Sequence, residues 1–125
     1  MASEQEQICI TLKAEADMSA YQYRGVSITN AKFGTLASSS QSVVLGIQMN
    51  KPPVYGAPLS VCVDGHTKAL AGAAVTVGSY VGVFNAGFFK PCNNGSAKIV
   101  GVALTAASGS GELFEMAIER WIRYQ

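Results

Sequence analysis

Chain-breaking residues recur through the second half of this chain and divide it into short runs. Lys51-Pro52-Pro53, Gly56-Ala57-Pro58, Asp64-Gly65, Asn85-Ala86-Gly87, Asn93-Asn94-Gly95 and Ser108-Gly109-Ser110-Gly111 punctuate the second half and more. Prolines cannot donate to a strand ladder, and Asn-Gly or Asp-Gly pairs suit the tight turns of hairpins. Between these stops lie short runs that alternate apolar and polar residues. In residues 8–16, Ile8, Ile10 and Leu12 share one face while Cys9, Thr11 and Lys13 share the other. Period-two alternation of this kind marks a strand.

The same reading places strands at residues 21–28, 43–49, 59–63, 66–70, 80–84, 88–90 and 99–106. Asp64-Gly65 and Asn85-Ala86-Gly87 are expected to be hairpin turns. Residues 34–42, with Ser38, Ser39 and Ser40, read as a polar loop, and residues 71–77 as an irregular crossing too short for a helix. The last segment, residues 112–124, fits two templates. As a strand it aligns Phe114, Met116, Ile118, Ile122 and Tyr124; as a helix it stacks Leu113, Met116, Ala117, Trp121 and Tyr124. The glycine-rich turn before it favours the strand, as a hairpin partner for residues 99–106. Strands separated by turn signals roughly every 8–12 residues predict an all-β domain, a small barrel or sandwich. Residues 1–7 are polar and acidic and read as a flexible arm, with residues 8–125 as the single domain.

Composition narrows the function. Only 14% of the 125 residues are charged, against about 25% in an average soluble chain. Interface cores are depleted in charge, so this suits a surface largely covered by neighbours. The net charge is +1 with no basic stripe, which argues against nucleic acid as a partner. The N-terminus lacks the basic and apolar regions of a signal peptide. No apolar run approaches the roughly 20 residues of a membrane helix, so no membrane partner is expected and synthesis is assigned to a cytoplasm. Cys9, Cys62 and Cys92 are odd in number and widely spaced, which does not suit a disulfide framework.

No catalytic constellation stands out, and an enzyme is not expected. The single histidine, His66, lies near Asp64, but the nucleophile-elbow spacing Gly-x-Ser-x-Gly is missing: Ser108 occupies the first glycine position before Ser110. Cys62, Asp64 and His66 could offer metal ligands from one strand, with Cys9 or Cys92 completing the set. No Cys-x-x-Cys pair supports this, and neither a metal nor a cofactor is expected. Gly109 and Gly111 are followed by Glu112 and Leu113 rather than by Lys and Ser or Thr, so no phosphate cradle forms. Trp121, Arg123 and Tyr124 have the composition of an interface anchor; Trp121 serves equally well as a core plug.

Several stretches resemble one family. These are Asp17-Met18-Ser19-Ala20-Tyr21-Gln22-Tyr23-Arg24-Gly25-Val26, Val44-Leu45-Gly46-Ile47-Gln48-Met49-Asn50-Lys51-Pro52, residues 57–63 and 68–75, and Val100-Gly101-Val102-Ala103-Leu104-Thr105-Ala106-Ala107-Ser108. In order and spacing they are similar to the small capsid cement, or decoration, proteins of tailed bacteriophages. The resemblance implies a structural role on the outer surface of the phage head. There the protein would stabilise the assembled shell by bridging neighbouring major capsid proteins, commonly as a homotrimer. Two segments depart from the family pattern: residues 78–83 are more apolar than usual, and residues 119–125 extend past the expected end of the domain.

On that reading the shell-facing residues are Ala2, Ser3, Glu4, Gln5, Glu6 and Gln7 of the arm together with Tyr21, Tyr23 and Arg24. Trp121, Arg123 and Tyr124 would serve an oligomer or capsid interface. The alternative is a head decoration protein that binds the host surface or a glycan. Tyr80, Phe84, Phe88 and Phe89 would then form an exposed stacking platform.

Overall fold

A computed structural model describes residues 7–38, 43–92 and 98–124. Among these the chain is all-β, as the turn spacing predicts. Its strands are β1 (Gln7–Ala14), β2 (Gly25–Asn30), β3 (Phe33–Leu36), β4 (Val44–Gln48), β5 (Pro58–Leu70), β6 (Tyr80–Val83), β7 (Phe89–Pro91), β8 (Lys98–Ala103) and β9 (Leu113–Tyr124). No helix among the described residues is long and apolar enough to cross a membrane.

The strands run β1-β3-β2-β4-β5-β9-β8-β6-β7, and β1 also pairs with β5. That extra pairing closes the first five strands into a small barrel, which leaves fewer open edges. Leu12, Ala14, Met18, Val26, Leu59, Val61 and Val63 fill it. The remaining strands form a second half that nearly closes too: Ala71, just past β5, bridges to Phe89 of β7. Its core holds Ile47, Ala69, Ala71, Val81, Val83, Phe89, Val100, Ala103, Phe114 and Met116.

β5 belongs to both halves. Residues 58–65 pair with β1, and His66 to Leu70 pair with β9. The Asp64-Gly65 pair, expected as a hairpin turn, is therefore a kink in one continuous 13-residue strand. Gly65 has φ +95°, a conformation glycine adopts without a Cβ penalty. The sequence signal was correct about backbone chemistry and wrong about its consequence.

Other boundaries shift for local reasons. Residues 21–24 form a turn rather than the start of a strand. Tyr23 sits at φ +69°, and Arg24 N donates to the Tyr21 carbonyl at 3.2 Å. β3 occupies part of the expected loop: Gly34 lies between Leu59, Val26 and Leu12, where any Cβ would collide. Residues 71–77 are irregular, as expected, held by the Ala71–Phe89 and Val75–Ala107 bridges. The C-terminal segment is a strand, and it pairs with β8 as the turn before it implied. Gln7, assigned to the arm, is instead the first residue of β1, opposite Gly65.

Candidate functional site

β1 begins outside the barrel core and enters it gradually. Its inward-facing side chains are 58% exposed at Ile8, 38% at Ile10 and 8% at Leu12. β2 shows the same gradient, from Val26 at 0% to Ile28 at 48%. Two strands that lose their cover in one direction define an open barrel end. Ile8, Ile10 and Ile28 form an apolar mouth there. Exposed apolar surface of this kind marks binding sites more often than isolated surface residues do.

The mouth also has a backbone feature. β3 pairs with β1 only at Lys13 and Ala14. Among the described residues, the edge of β1 from Ile8 to Leu12 on that side has no strand neighbour. Unpaired edges are templates for strand addition. A shallow groove lined by Thr11, Leu12, Lys13, Lys32, Gly56 and Pro58 lies beside it. Lys13 Nζ sits 5.8 Å from the centroid of Phe33, whose ring stacks on exposed Tyr55 at 5.2 Å. The sequence reading missed this surface, because alternation assigns Ile8 and Ile10 to a core without revealing where the cover ends.

The expected shell-facing residues separate into three groups. Ala2, Ser3, Glu4, Gln5 and Glu6 lie outside the described residues. Gln7 is tied down, its Nε2 donating to the His66 carbonyl at 3.0 Å. Tyr21, Tyr23 and Arg24 are half-buried at the joint between the two halves. The Arg24 guanidinium lies between two rings, 4.3 Å from the Phe88 centroid and 5.2 Å from that of Tyr21. Its Nη1 donates to the Ala86 carbonyl at 3.3 Å, and Gly25 N donates to the Gly87 carbonyl at 3.0 Å. This set therefore clamps the β6–β7 turn onto the barrel. Ala86 (φ +54°) and Gly87 (φ +74°) make that turn in the primed form that suits strand twist. Trp121, Arg123 and Tyr124 fall within β9, where Arg123 registers with Ile99 and Tyr124 with Lys98.

The expected aromatic platform is only half-exposed at Tyr80, Phe84 and Phe88. Phe89 is fully buried, Tyr80 and Phe84 pack against Cys92 and Ile99, and Phe88 stacks on Arg24. A hairpin alternates its faces, so consecutive aromatics at positions 88 and 89 cannot present one flat surface.

The candidates for chemistry do not converge. No group of three or more His, Cys, Asp or Glu able to hold a metal is present among the described residues. Cys62 Sγ contacts the Asp64 carbonyl at 3.2 Å, while Asp64 Oδ1 accepts from Gly65 N at 2.9 Å. Ser108 binds the Glu112 carboxylate through both its hydroxyl and its N–H, and these bonds hold that carboxyl below its usual range. That is turn capping, not an activated nucleophile.

No family model matches this sequence, and no curated protein matches it. Solved structures do match. One is the crystal structure of the head fiber gp8.5 N base in bacteriophage phi29, with a TM-score of 0.66 and 19% identity. The alignment covers 92% of this chain and 96% of that one, so the two chains share a fold along nearly their whole length.

Proposed function

We propose that this chain is a non-enzymatic structural protein of a phage head, attached to the outside of the assembled capsid. The full-length fold match to the base of a phage head fiber carries this reading. The likeness to cement proteins and the low charged fraction support the finer version. In that version the protein bridges neighbouring major capsid proteins, as a homotrimer, and stabilises the shell. Binding only the assembled state stabilises it by mass action, and linked copies gain through effective concentration.

The attachment surface in this proposal is the barrel mouth, Ile8, Ile10 and Ile28, with the open edge of β1. The arm residues Ala2 to Glu6 lead by chain continuity into that edge. A segment of the major capsid protein would add to it as a strand, its apolar side chains covering the three isoleucines. Trp121, Arg123 and Tyr124 are assigned to contacts between copies.

Co-sedimentation with purified capsids tests the proposal. The expected result is saturable binding, at a ratio near one to the major capsid protein if every three-fold position is filled. Absence from capsids at saturating protein would sink it. Deleting residues 2–7 tests the arm separately, since undiminished occupancy would remove it from the interface.

A further inference from the structure

The first five strands become a closed barrel only because β1 pairs with β5, and two cysteines sit opposite each other in that seam. Cys9 registers directly with Cys62. Directly opposed residues in an antiparallel pair point to the same face, with Cα atoms about 4.5–5.5 Å apart. Disulfides span about 4.4–6.8 Å between Cα atoms, so the seam meets the distance requirement without moving a strand. The ladder is also irregular at this point: the register shifts between Ile8 and Cys9, which gives the seam local play.

The two thiols differ in access. Cys9 is exposed and Cys62 is fully buried. Burial, and then the neighbouring Cys9 thiol, push the Cys62 pKa up to about 11. Of the two thiols, Cys9 is therefore the one that meets a reagent in solution first. Cys92 lies elsewhere, buried against Ile99.

We propose that Cys9 and Cys62 form a modification site, a dithiol that low-molecular-weight disulfides oxidise to a covalent lock across the barrel seam. In the first step the Cys9 thiolate attacks one sulfur of the small disulfide. A Cys9 mixed disulfide forms and one small thiol leaves. In the second step Cys62 loses its proton to solvent and its sulfur attacks Cys9 Sγ. The Cys9–Cys62 bond forms and the second small thiol leaves. Two protein thiols are oxidised and one small disulfide is reduced to two thiols. The contact from Cys62 to the Asp64 carbonyl is released in the process. The reduced chain would close its barrel by hydrogen bonds and packing alone; the oxidised chain would add a covalent tie at the same place.

The test uses the full chain and oxidised glutathione as the probe. The expected product is a monomer lighter by two hydrogens, with the Cys9 and Cys62 peptides joined in a non-reducing map. Its melting midpoint should rise by roughly 10 °C, since the tie closes a long loop of the unfolded chain. Reduction should reverse both changes. Cys9→Ser, a change at an exposed position, should abolish the lock and leave the midpoint of the reduced protein unchanged. Cys62→Ala should instead stop the reaction at the Cys9 mixed disulfide. A stable glutathione adduct in the unaltered chain, a dimer joined through Cys9, or a lock without any rise in midpoint would each overturn the proposal.

Discussion

The two halves of this molecule share β5 and treat the same alternating pattern in opposite ways. In the second half the inward strand positions Val81, Val83, Phe89, Phe114 and Met116 are all essentially inaccessible. In the barrel half the pattern continues past the point where cover stops, leaving Ile8, Ile10 and Ile28 in the open. Alternation therefore specifies which side of a strand is apolar. Whether that side ends as core or as contact surface is decided by the length of its neighbours. β3 is four residues long and β1 is eight, and the difference is what leaves the mouth uncovered.

The contrast can be broken most forcefully in the sealed half. Phe89→Ala removes a fully buried ring and should destabilise the fold by about 3–5 kcal/mol, read from denaturant midpoints. Next comes Gln48, buried beneath the barrel with its Nε2 donating to the Met18 and Asn50 carbonyls at 2.8 and 2.7 Å. Gln48→Ala removes that donor from both carbonyls, of which Met18's keeps Tyr21 N at 3.1 Å, and should cost about 1–3 kcal/mol. A loss below about 0.5 kcal/mol would mean that water replaces the amide.

Arg24→Ala tests the joint. It deletes two ring contacts and one hydrogen bond, and a loss of about 1–2 kcal/mol is expected. The second half should also become more labile to hydrogen exchange around residues 85–88; uniform exchange in both proteins would show that the clamp is dispensable. The smallest effect on stability belongs to the mouth. Ile8→Ser with Ile28→Ser should shift unfolding by no more than about 0.5 kcal/mol per site, yet lower capsid occupancy at least tenfold if this end is the attachment surface. Unchanged occupancy would move the contact elsewhere, with the Phe33–Tyr55 stack as the next surface to alter.

Much of the fold was legible because its determinants are local. The alternation of Leu59, Val61 and Val63, the turn at Asn85-Ala86-Gly87 and the glycines before Leu113 each correctly announced a strand or its end. What escaped depends on partners distant in sequence. Gly65 looks the same in a hairpin turn and in a kink, and only the pairing of His66 to Leu70 with β9 distinguishes them. β3 was hidden because Gly34 interrupts a four-residue run that leads into serines, although Gly34 is small for a packing reason. The site was less legible than the fold. Arg24 between aromatic residues suggests a binding surface in sequence, but in space its rings come from Tyr21 and Phe88, on opposite sides of the joint. The acidic arm Ala2 to Glu6 falls outside the described residues, and Trp121, Arg123 and Tyr124 are placed by the backbone register of β9 alone.

The shared strand has a mechanical consequence. β5 passes from one half to the other without a linker, so a pull on the barrel reaches the second half along peptide bonds and two hydrogen-bonded ladders. The crossing point is the Gly65 kink within that one continuous strand. A protein gripped at its mouth and loaded at its far end would behave as a single stiff strut, failing all at once rather than piece by piece.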